Sequence, residues 1–330
     1  MMRTGKTHDH RQTICRGSVK NLFKEETSTN SIMIASATSL RKAYNNHLFS
    51  LKDTTCHKII WGTNRDFDEY LKFEGADTYI GFGGGTAIDI AKFLAKKYNA
   101  RCVAIPSMLS TNAFATNKVA KVTSDNKITI DSVLPDEIWY DDELISMSKT
   151  ENIYGLADAF SIYTALYDWD ISKEKIDSEI YKRAWNTYMD ALEYMQKRKK
   201  SQKKIFDILL EAGYVTNDYG CGRPESGSEH IVAKEIEKLV KVPHALAVVC
   251  GICIMSKLQS RPQAEFDENY RAFEAMGIFN EIRKQISIDV LVQALQNVKP
   301  REDRITQLDF IDYDIDKYKA SEIIRESKIW

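Results

Sequence analysis

Two histidines and one aspartate in the C-terminal half of the chain could bind a metal ion. His230 ends the loop GCGRPESGSEH, His244 follows a Val-Pro pair, and Asp158 lies early in the apolar stretch YGLADAFSIYTALYDWD. A carboxylate on an apolar helical face is costly to bury unless it is paired or bound to a cation. Two neutral imidazoles and one carboxylate are typical of a catalytic divalent metal with an open coordination position. Taken singly, each histidine is better explained as a helix cap or surface residue, and Asp158 could equally pair with a lysine.

A glycine-rich segment in the N-terminal half could bind a phosphate group. Residues 79–92, YIGFGGGTAIDIAK, join an apolar β-type run to a helical pattern through a glycine cluster. Glycines at such a turn let the backbone approach a ligand, and the N–H groups of the helix start can bind a pyrophosphate. The pattern G-x-G-G-G-T differs from the Rossmann fingerprint G-x-G-x-x-G. In isolation, a purely structural turn is an equally good interpretation.

The elements around the glycine cluster predict an open, parallel α/β sheet. Short β-rich runs alternate with helical patterns, which is the order of a parallel sheet with crossover helices. Buried strands are predicted at Ser31–Ala35, Lys58–Trp61, Thr78–Phe82 and Cys102–Ile105, and one more in LPDEIWYDDELI. The segment KVTSDNKITID predicts a hairpin with its turn at Asp125-Asn126.

From about Lys149 onward, long amphipathic patterns replace the β-type runs. Helices are predicted at Asn152–Ile171, Ser178–Lys197, Lys203–Ala212, His230–Leu239 and Ala245–Leu258. The sequence therefore predicts an α/β protein with two domains. We expect residues 1–150 to form an N-terminal open parallel-sheet domain, the candidate nucleotide-binding domain, and residues 151–330 to form a C-terminal all-helical domain, the candidate metal- and substrate-binding domain.

Composition narrows the class of protein. The chain has 330 residues, enough for two domains of ordinary size, and its net charge of −1 does not favour nucleic-acid binding. No apolar run is long enough to span a membrane, and the polar N-terminus lacks the apolar core of a signal peptide. We therefore expect a cytoplasmic protein with reduced thiols. Cys250 and Cys253 form a C-x-x-C within an apolar stretch, which favours two buried small residues over a metal or redox pair.

Five segments together resemble the iron-containing alcohol dehydrogenase and dehydroquinate synthase-like superfamily, and most closely its glycerol-1-phosphate dehydrogenase branch. They are GFGGGTAIDIAK (81–92), AIPSMLSTNAFATNKVA (104–120), GLADAFSIYTALYDWD (155–170), ESGSEH (225–230) and VPHALAVVCGICIM (242–255). For the branch, the Asp168-Trp169 pair and the run SGSEH weigh most.

The resemblance implies a set of site residues. The glycine-rich loop would hold the pyrophosphate of NAD or NADP, and a second loop would lie near the nicotinamide and its ribose. The cofactor residues are then Gly83, Gly84, Gly85 and Thr86 in the first loop and Ser110 and Thr111 in the second. The metal ligands are Asp158, His230 and His244, with zinc, iron or nickel as the ion. The resemblance also implies a small-molecule substrate, a phosphorylated polyol or sugar, and a homo-oligomer.

The chain departs from the family that it resembles at positions that bear on catalysis. Relatives in the dehydrogenase branch carry an aspartate where this chain has Asn112, whose amide cannot act as a base. Four residues after the first metal histidine, relatives often have a second histidine, and here it is Lys234. The run His244-Ala245-Leu246 replaces a common His-Gly-Glu. Lys118 and Lys234 are candidates to receive a substrate phosphate or carboxylate, although either could be a surface lysine.

The leading interpretation is a metal- and NAD(P)-dependent oxidoreductase that acts on a small polyol or its phosphate ester. One alternative is a sugar-phosphate cyclase or lyase of the dehydroquinate synthase type, which oxidises and re-reduces one substrate with bound NAD. Lys118 matches the place of a substrate-binding lysine in cyclases, but the chain lacks their Gly-Gly-Lys loop. The other alternative is a non-catalytic nucleotide-binding homologue. Net turnover of NAD(P)H with a polyol phosphate would favour the first interpretation.

Overall fold

The chain folds into two compact units. The fold is that of a computed structural model, which describes residues 5–8, 12–25, 30–48, 58–123, 127–197, 201–311 and 315–330. The first unit comprises residues 1–153 and 205–213, and the second comprises residues 154–204 and 214–330. The short segment 205–213 therefore belongs to the first unit although helical residues of the second unit flank it in sequence.

A seven-stranded sheet is the centre of the first unit. Its strand order is β1-β2-β9-β6-β5-β3-β4, in which β1 pairs antiparallel with β2 and the other six strands are parallel. The strands are β1 Gly5–His8, β2 Thr13–Arg16, β3 Ser31–Ala35, β4 Lys58–Trp61, β5 Thr78–Gly83, β6 Arg101–Pro106 and β9 Glu137–Tyr140. The predicted fold class is confirmed, with an antiparallel edge strand added.

Both faces of this sheet are covered, which explains why its central strands are mostly apolar. Met33 and Ile80 pack in one buried cluster, whereas Ile32 and Tyr79 pack in another. Because side chains alternate between the faces of a strand, successive residues enter opposite clusters. All six residues of β5 are buried.

Short helices and one hairpin complete the first unit. The helices are α1 Val19–Glu25, α2 Ala37–Asn45, α3 Gly85–Tyr98, α4 Asp142–Ser146 and α5 Lys149–Tyr154, whose last residue falls in the second unit. Strands β7 Lys118–Val122 and β8 Lys127–Asp131 pair antiparallel, as the hairpin prediction requires. The predicted turn at Asp125-Asn126 lies outside the described residues.

The described part of the second unit is mostly helical. Its helices are α6 Ala157–Ile171, α7 Ser178–Gln196, α8 Gln202–Tyr219, α9 Ser228–Leu239, α10 His244–Leu258, α11 Gln263–Met276, α12 Ile278–Gln285, α13 Ile288–Asn297 and α14 Lys317–Glu326. Residues 205–213 of α8 form the part counted with the first unit.

The predicted single helix Asn152–Ile171 is wrong at one point. Helix α5 ends at Tyr154 and α6 begins at Ala157, so the chain breaks at Gly155-Leu156. Glycine is a poor helix former, which favours a break there. The break places Asp158 in the first turn of α6.

Two further predictions, the lack of a membrane-spanning segment and the burial of Cys250 and Cys253, can be compared with the described residues. None of the described helices is both long and apolar enough to cross a membrane. Cys250 and Cys253 are free thiols buried on α10, and burial raises the pKa of the Cys253 thiol to about 12. A buried thiol with such a pKa is protonated at neutral pH, which agrees with its interpretation as a small core residue.

Candidate metal centre and dinucleotide site

Asp158, His230 and His244 come together in the second unit. One potential ligand atom from each lies within 4.8 Å of the other two, and Nε2 of His244 is 3.8 Å from Oδ1 of Asp158. The two imidazole centroids are 5.5 Å apart. Asp158 is buried, whereas the side chains of His230 and His244 are 14% and 26% exposed. The three donors therefore face one point that solvent can reach.

Helices α6, α9 and α10 position these three residues through close backbone packing. A Cβ atom on Gly251 of α10 would lie 2.2 Å from the carbonyl oxygen of Glu229 on α9. A Cβ atom on Gly227, at the start of α9, would lie 2.3 Å from Oδ2 of Asp168 on α6. Glycine at both positions lets α9 approach its neighbours, and this approach brings His230 to the other two donors.

The Nδ1 atom of each histidine lies within hydrogen-bond distance of a glutamate carboxylate. Nδ1 of His230 is 2.7 Å from Oε1 of Glu229, and Nδ1 of His244 is 2.6 Å from Oε1 of Glu237. Glu229 is fully buried and also accepts hydrogen bonds from the amide of Gly227 at 2.6 Å and from the hydroxyl of Thr164 at 2.8 Å. Both imidazoles therefore leave Nε2 for the shared point.

The surroundings of the three donors are strongly acidic. Burial acts to lower the pKa of His230, but the neighbouring Glu229 and Asp158 carboxylates outweigh it, so the pKa is raised. Burial, and then repulsion from Glu229, raises the pKa of Asp168 to about 6. Glu225 adds a further negative charge close to His230. A divalent cation is the species that would neutralise such a concentration of carboxylates.

The donor set fits a divalent metal. Ligand bonds of ~2.1 Å put two ligands of one ion at most about 4.2 Å apart, and about 3.4 Å apart in a tetrahedron, so side-chain movements on the order of 1 Å would bring these donors onto one ion. Three protein donors leave one position open in a tetrahedral site, as in catalytic zinc centres. The set contains imidazole and carboxylate without thiolate, which suits zinc, iron or nickel.

The glycines of the cluster in the first unit fall into two groups, because glycine is favoured at these positions for two different physical reasons. Gly81 and Gly83 are required by packing and backbone shape. A Cβ on Gly81 would lie 2.7 Å from Cα of Ile88, and Gly83 has a φ of +151° that side chains disfavour. Gly84 has an ordinary φ of −83°, and the nearest atom to a Cβ there would be Sδ of Met108 at 3.4 Å. The protein itself therefore does not demand glycine at 84, which favours a ligand as the reason.

The start of α3 is suited to an anion. Gly84 is its N-cap and provides no side-chain hydrogen bond, so the first N–H groups of the helix are available to a ligand. Gly84, Gly85 and Thr86 are all half-exposed. Nη2 of Arg65 would lie 3.8 Å from a Cβ on Gly85. This arginine, which also pairs with Asp89 at 3.1 Å, places a guanidinium group beside the helix start, and the sequence motif gave no signal for it.

The second predicted cofactor loop touches the first. Ser110 and Thr111 are half-buried, and Oγ1 of Thr111 would lie 3.0 Å from a Cβ on Gly85. A fully buried lysine holds the following turn. Nζ of Lys92 donates to the carbonyl oxygens of Ala113 at 2.7 Å and Lys118 at 2.6 Å, and burial lowers its pKa. Lys92 lies in the glycine motif itself, so one segment both turns towards the ligand and anchors the second loop.

The three predicted catalytic residues occupy separate places. Asn112 precedes the short 3-10 turn Ala113–Ala115, and its carbonyl oxygen accepts from the amide of Ala115 at 2.8 Å. Lys118 begins β7 and forms an ion pair with Asp131 across the hairpin. Lys234 is half-buried on α9, one helical turn after His230. Their catalytic roles remain predictions.

Comparison with known proteins supports the resemblance. Residues 17–148 match the family model described as iron-containing alcohol dehydrogenase. A glycerol-1-phosphate dehydrogenase [NAD(P)+] of Methanocorpusculum labreanum is 26% identical over 257 residues, which cover 74% of this chain and 70% of that protein. The enzyme of the same name from Methanothrix thermoacetophila is 29% identical over 251 residues, covering 71% of this chain and 69% of that protein.

Solved structures share the fold over nearly the whole chain. A probable glycerol dehydrogenase from Sinorhizobium meliloti has a TM-score of 0.70 at 14% identity and covers 94% of both chains. A sulfoacetaldehyde reductase from Bifidobacterium kashiwanohense, solved in complex with NAD+, has a TM-score of 0.69 at 12% identity and covers 98% of both chains. At such identities the likeness establishes the fold alone. The sequence matches show that the chain is similar to the iron-containing alcohol dehydrogenases over residues 17–148, and to glycerol-1-phosphate dehydrogenases, which are oxidoreductases, over 71–74% of its length.

Proposed function

We propose that this chain is a metal- and NAD(P)-dependent oxidoreductase that acts on a small polyol phosphate, in the manner of a glycerol-1-phosphate dehydrogenase. The observation that carries the proposal is the convergence of Asp158, His230 and His244 to within 4.8 Å. Support comes also from the glycerol-1-phosphate dehydrogenases among the sequence relatives. The homo-oligomer and the cytoplasmic location stay predictions.

The first unit would bind the dinucleotide. The free N–H groups at the start of α3 would hold the pyrophosphate, with Gly84 and Gly85 allowing close approach. Thr86, Ser110 and Thr111 offer hydroxyl groups beside this turn. Bound NAD(P) would supply a hydride acceptor or donor. Lys92 keeps the second loop in place through its bonds to backbone carbonyls.

The second unit would bind the metal and the reacting hydroxyl group. Asp158, His230 and His244 would be its ligands, and a bound divalent ion would supply a Lewis acid that makes the substrate hydroxyl easier to deprotonate. The side chains of the two histidines are partly exposed, so substrate can reach the open side of the set. Lys118 is paired with Asp131 across the hairpin, whereas Lys234 lies one helical turn after His230, beside the candidate ligands.

Lys234 is our candidate for moving the substrate proton, because Asn112 cannot titrate. Replacing Lys234 with Met keeps the length and removes the charge. We expect turnover to fall at least tenfold, about 1.4 kcal/mol in the barrier, with NAD(P) affinity unchanged. Lys238→Met is the matched control, since Lys238 lies on the same helix and pairs with Glu235. Full activity of the Lys234→Met enzyme would contradict this role.

The direct test combines metal analysis with an activity panel. Purified protein is analysed for bound zinc, iron and nickel, and then assayed by nicotinamide absorbance with dihydroxyacetone phosphate, glycerol 1-phosphate and other triose and sugar phosphates. We expect one equivalent of metal, net NAD(P)H turnover with a polyol phosphate, and loss of both in His230→Ala. Metal should also stabilise the folded state by mass action, by about 2.7 kcal/mol at a hundredfold excess over Kd, and so raise the melting temperature.

Three outcomes would count against the proposal. Tightly held NAD with turnover of a sugar phosphate but no net nicotinamide change would identify a cyclase. Cofactor binding without any turnover would identify a non-catalytic homologue. Full activity after complete removal of metal would exclude the metal-dependent mechanism.

A further inference from the structure

Two glutamates contact the histidines of the candidate metal centre, and no ligand motif predicts them. Glu229 immediately precedes His230 on α9, and Glu237 lies two turns further along the same helix. Although both come from α9, they serve different histidines. Glu229 contacts its own neighbour, whereas Glu237 reaches His244 at the first position of α10.

The chemistry of a neutral imidazole gives these contacts their meaning. Such a ring carries one N–H and one lone pair, and a metal ligand must offer the lone pair. A carboxylate accepts hydrogen bonds and cannot donate them, so a glutamate at Nδ1 stabilises the tautomer that carries its proton on Nδ1. Nε2 is then left with its lone pair, and in His244 this atom is the one 3.8 Å from Asp158.

The two glutamates are held to different degrees. Glu229 is fully buried, and its other contacts, the amide of Gly227 and the hydroxyl of Thr164, fix both carboxylate oxygens. Glu237 keeps 13% of its side chain exposed. Replacing Glu229 would leave two other buried donors poorly matched, whereas Glu237 lies where water can still reach its side chain.

We propose that Glu229 and Glu237 are positioning residues that orient His230 and His244 and fix their tautomers, and so set the affinity of the metal centre. The proposal rests on the metal-dependent function above. Outer partners of this kind fix ring orientation and raise the basicity of ligating histidines, and their loss typically costs 10- to 100-fold in metal affinity.

The test measures metal affinity rather than activity. Full-length wild type, Glu229→Gln and Glu237→Gln are stripped of metal and titrated with Zn²⁺ against a chromophoric chelator. Glu235→Gln is the matched control, because Glu235 lies on the same helix and pairs with Lys238. We expect Zn²⁺ binding to weaken 10- to 100-fold in the two test variants and by less than twofold in the control. Substitution with Co²⁺ should show a shifted visible absorption spectrum in the test variants only.

Stability in the metal-free state separates positioning from folding. We expect the metal-free Glu237→Gln protein to melt within a few degrees of wild type, since this glutamate is partly exposed. If Glu229→Gln does not fold, Glu237→Gln alone decides the outcome. Wild-type Zn²⁺ affinity and Co²⁺ spectrum in a folded Glu237→Gln protein would overturn this inference while leaving the proposed function intact. A wild type that binds no divalent metal would overturn both.

Discussion

Gly84 is the residue at which a structural and a ligand-based reason for glycine can be separated. Its neighbours Gly81 and Gly83 are explained by contacts and backbone shape, but Gly84 has an ordinary φ and room for a Cβ. A residue that the fold does not constrain, at the exposed start of a helix, is best explained by what approaches it from outside.

A change at Gly84 should therefore affect cofactor binding more than stability. We expect Gly84→Val to fold and to lose most of its NAD(P) affinity, because the side chain would occupy the space of the pyrophosphate. Fluorescence titration with NADH and NADPH measures this, with thermal melting as the check on folding. Gly81→Ala is the contrasting variant, since its Cβ would clash with Cα of Ile88, and it should lose stability first. Unchanged affinity in a folded Gly84→Val protein would exclude the loop as the pyrophosphate site.

Asp168 should make stability depend on pH. Its folded pKa of about 6 lies above its ordinary value of 3.8, so the folded state binds the proton more tightly than the unfolded state. The stability gained from this proton is complete below about pH 4 and is lost as the pH rises through 6. Of this loss, about 1 kcal/mol should fall between pH 5 and pH 8.

The measurement is the difference in unfolding free energy between wild type and Asp168→Asn, each in chelator, across that pH range. Because asparagine does not titrate, any pH-independent effect of the substitution is a constant offset in this difference. The change of the difference with pH therefore reports the titration of Asp168. Glu229, whose charge contributes to the raised pKa of Asp168, is present in both proteins. A difference that stays flat from pH 5 to pH 8 would show that Asp168 is already ionised at the acidic end.

At the scale of elements, the packing of α10 on α9 is the contact that assembles the candidate metal centre. Gly251 allows this approach at the backbone of Glu229, the residue next to His230. A displacement of α9 at this point would move His230 and the adjacent Glu229 together.

Gly251→Ala should therefore weaken both stability and metal binding. The added methyl group would lie 2.2 Å from a backbone oxygen, which must move, and overpacking of this kind costs about 1–3 kcal/mol. Urea unfolding of the metal-free protein and a Zn²⁺ titration measure the two effects. Gly222→Ala is the control, since its Cβ would meet nothing nearer than Ser226 at 3.7 Å. Equal behaviour of the two variants would show that the α9–α10 contact does not control the centre.

Sequence patterns predicted those elements whose structure follows from one local property, such as an apolar run. Strands β3 and β4 match their predicted bounds, because their apolar runs are bounded by polar residues or glycine. Strand β2, Thr13–Arg16, was missed because it is short and half polar, and pairing with β9 stabilises it from a distance in sequence. The break before Ala157 was missed because the apolar pattern continues across it.

The candidate site was predictable only in part, for a related reason. Motif resemblance indicated Asp158, His230 and His244, and these side chains do converge. Glu237 lies in the run KEIEK, where charged residues normally face solvent, so nothing in the sequence marks it as the partner of His244. Arg65 comes from a loop with no motif, and only the fold brings it to Gly85.

At the scale of the whole molecule, the first unit is discontinuous in sequence. Residues 205–213 belong to it, and they pack on its earlier parts. The ring of Phe206 stacks on Phe114 at 5.0 Å and lies 4.8 Å from Tyr140, while Asp207 pairs with Arg16 at 3.1 Å. The sheet unit therefore depends on a segment from the middle of helix α8.

Phe206→Ala should destabilise the first unit. Phe206 is fully buried, and loss of such a ring costs about 3–5 kcal/mol. Hydrogen exchange should show faster exchange in β9 and β2, whose residues Tyr140 and Arg16 contact this segment, with little change in α10. Phe310→Ala, at a site 62% exposed, is the control and should leave exchange unchanged. Unaltered protection of β9 in Phe206→Ala would show that the sheet unit is stable without this segment.

The same discontinuity has a consequence for synthesis on the ribosome. Domains of a growing chain generally fold as units, with the N-terminal one first. Here the N-terminal unit cannot bury Phe114 until residues 205–213 have left the ribosome, by which time residues 154–204 of the other unit have already emerged. A ribosome that stops near residue 150 would release a sheet with an uncovered aromatic surface, which is a target for chaperones, so the first unit can complete its folding only after residues 154–204 of the second unit have been synthesised.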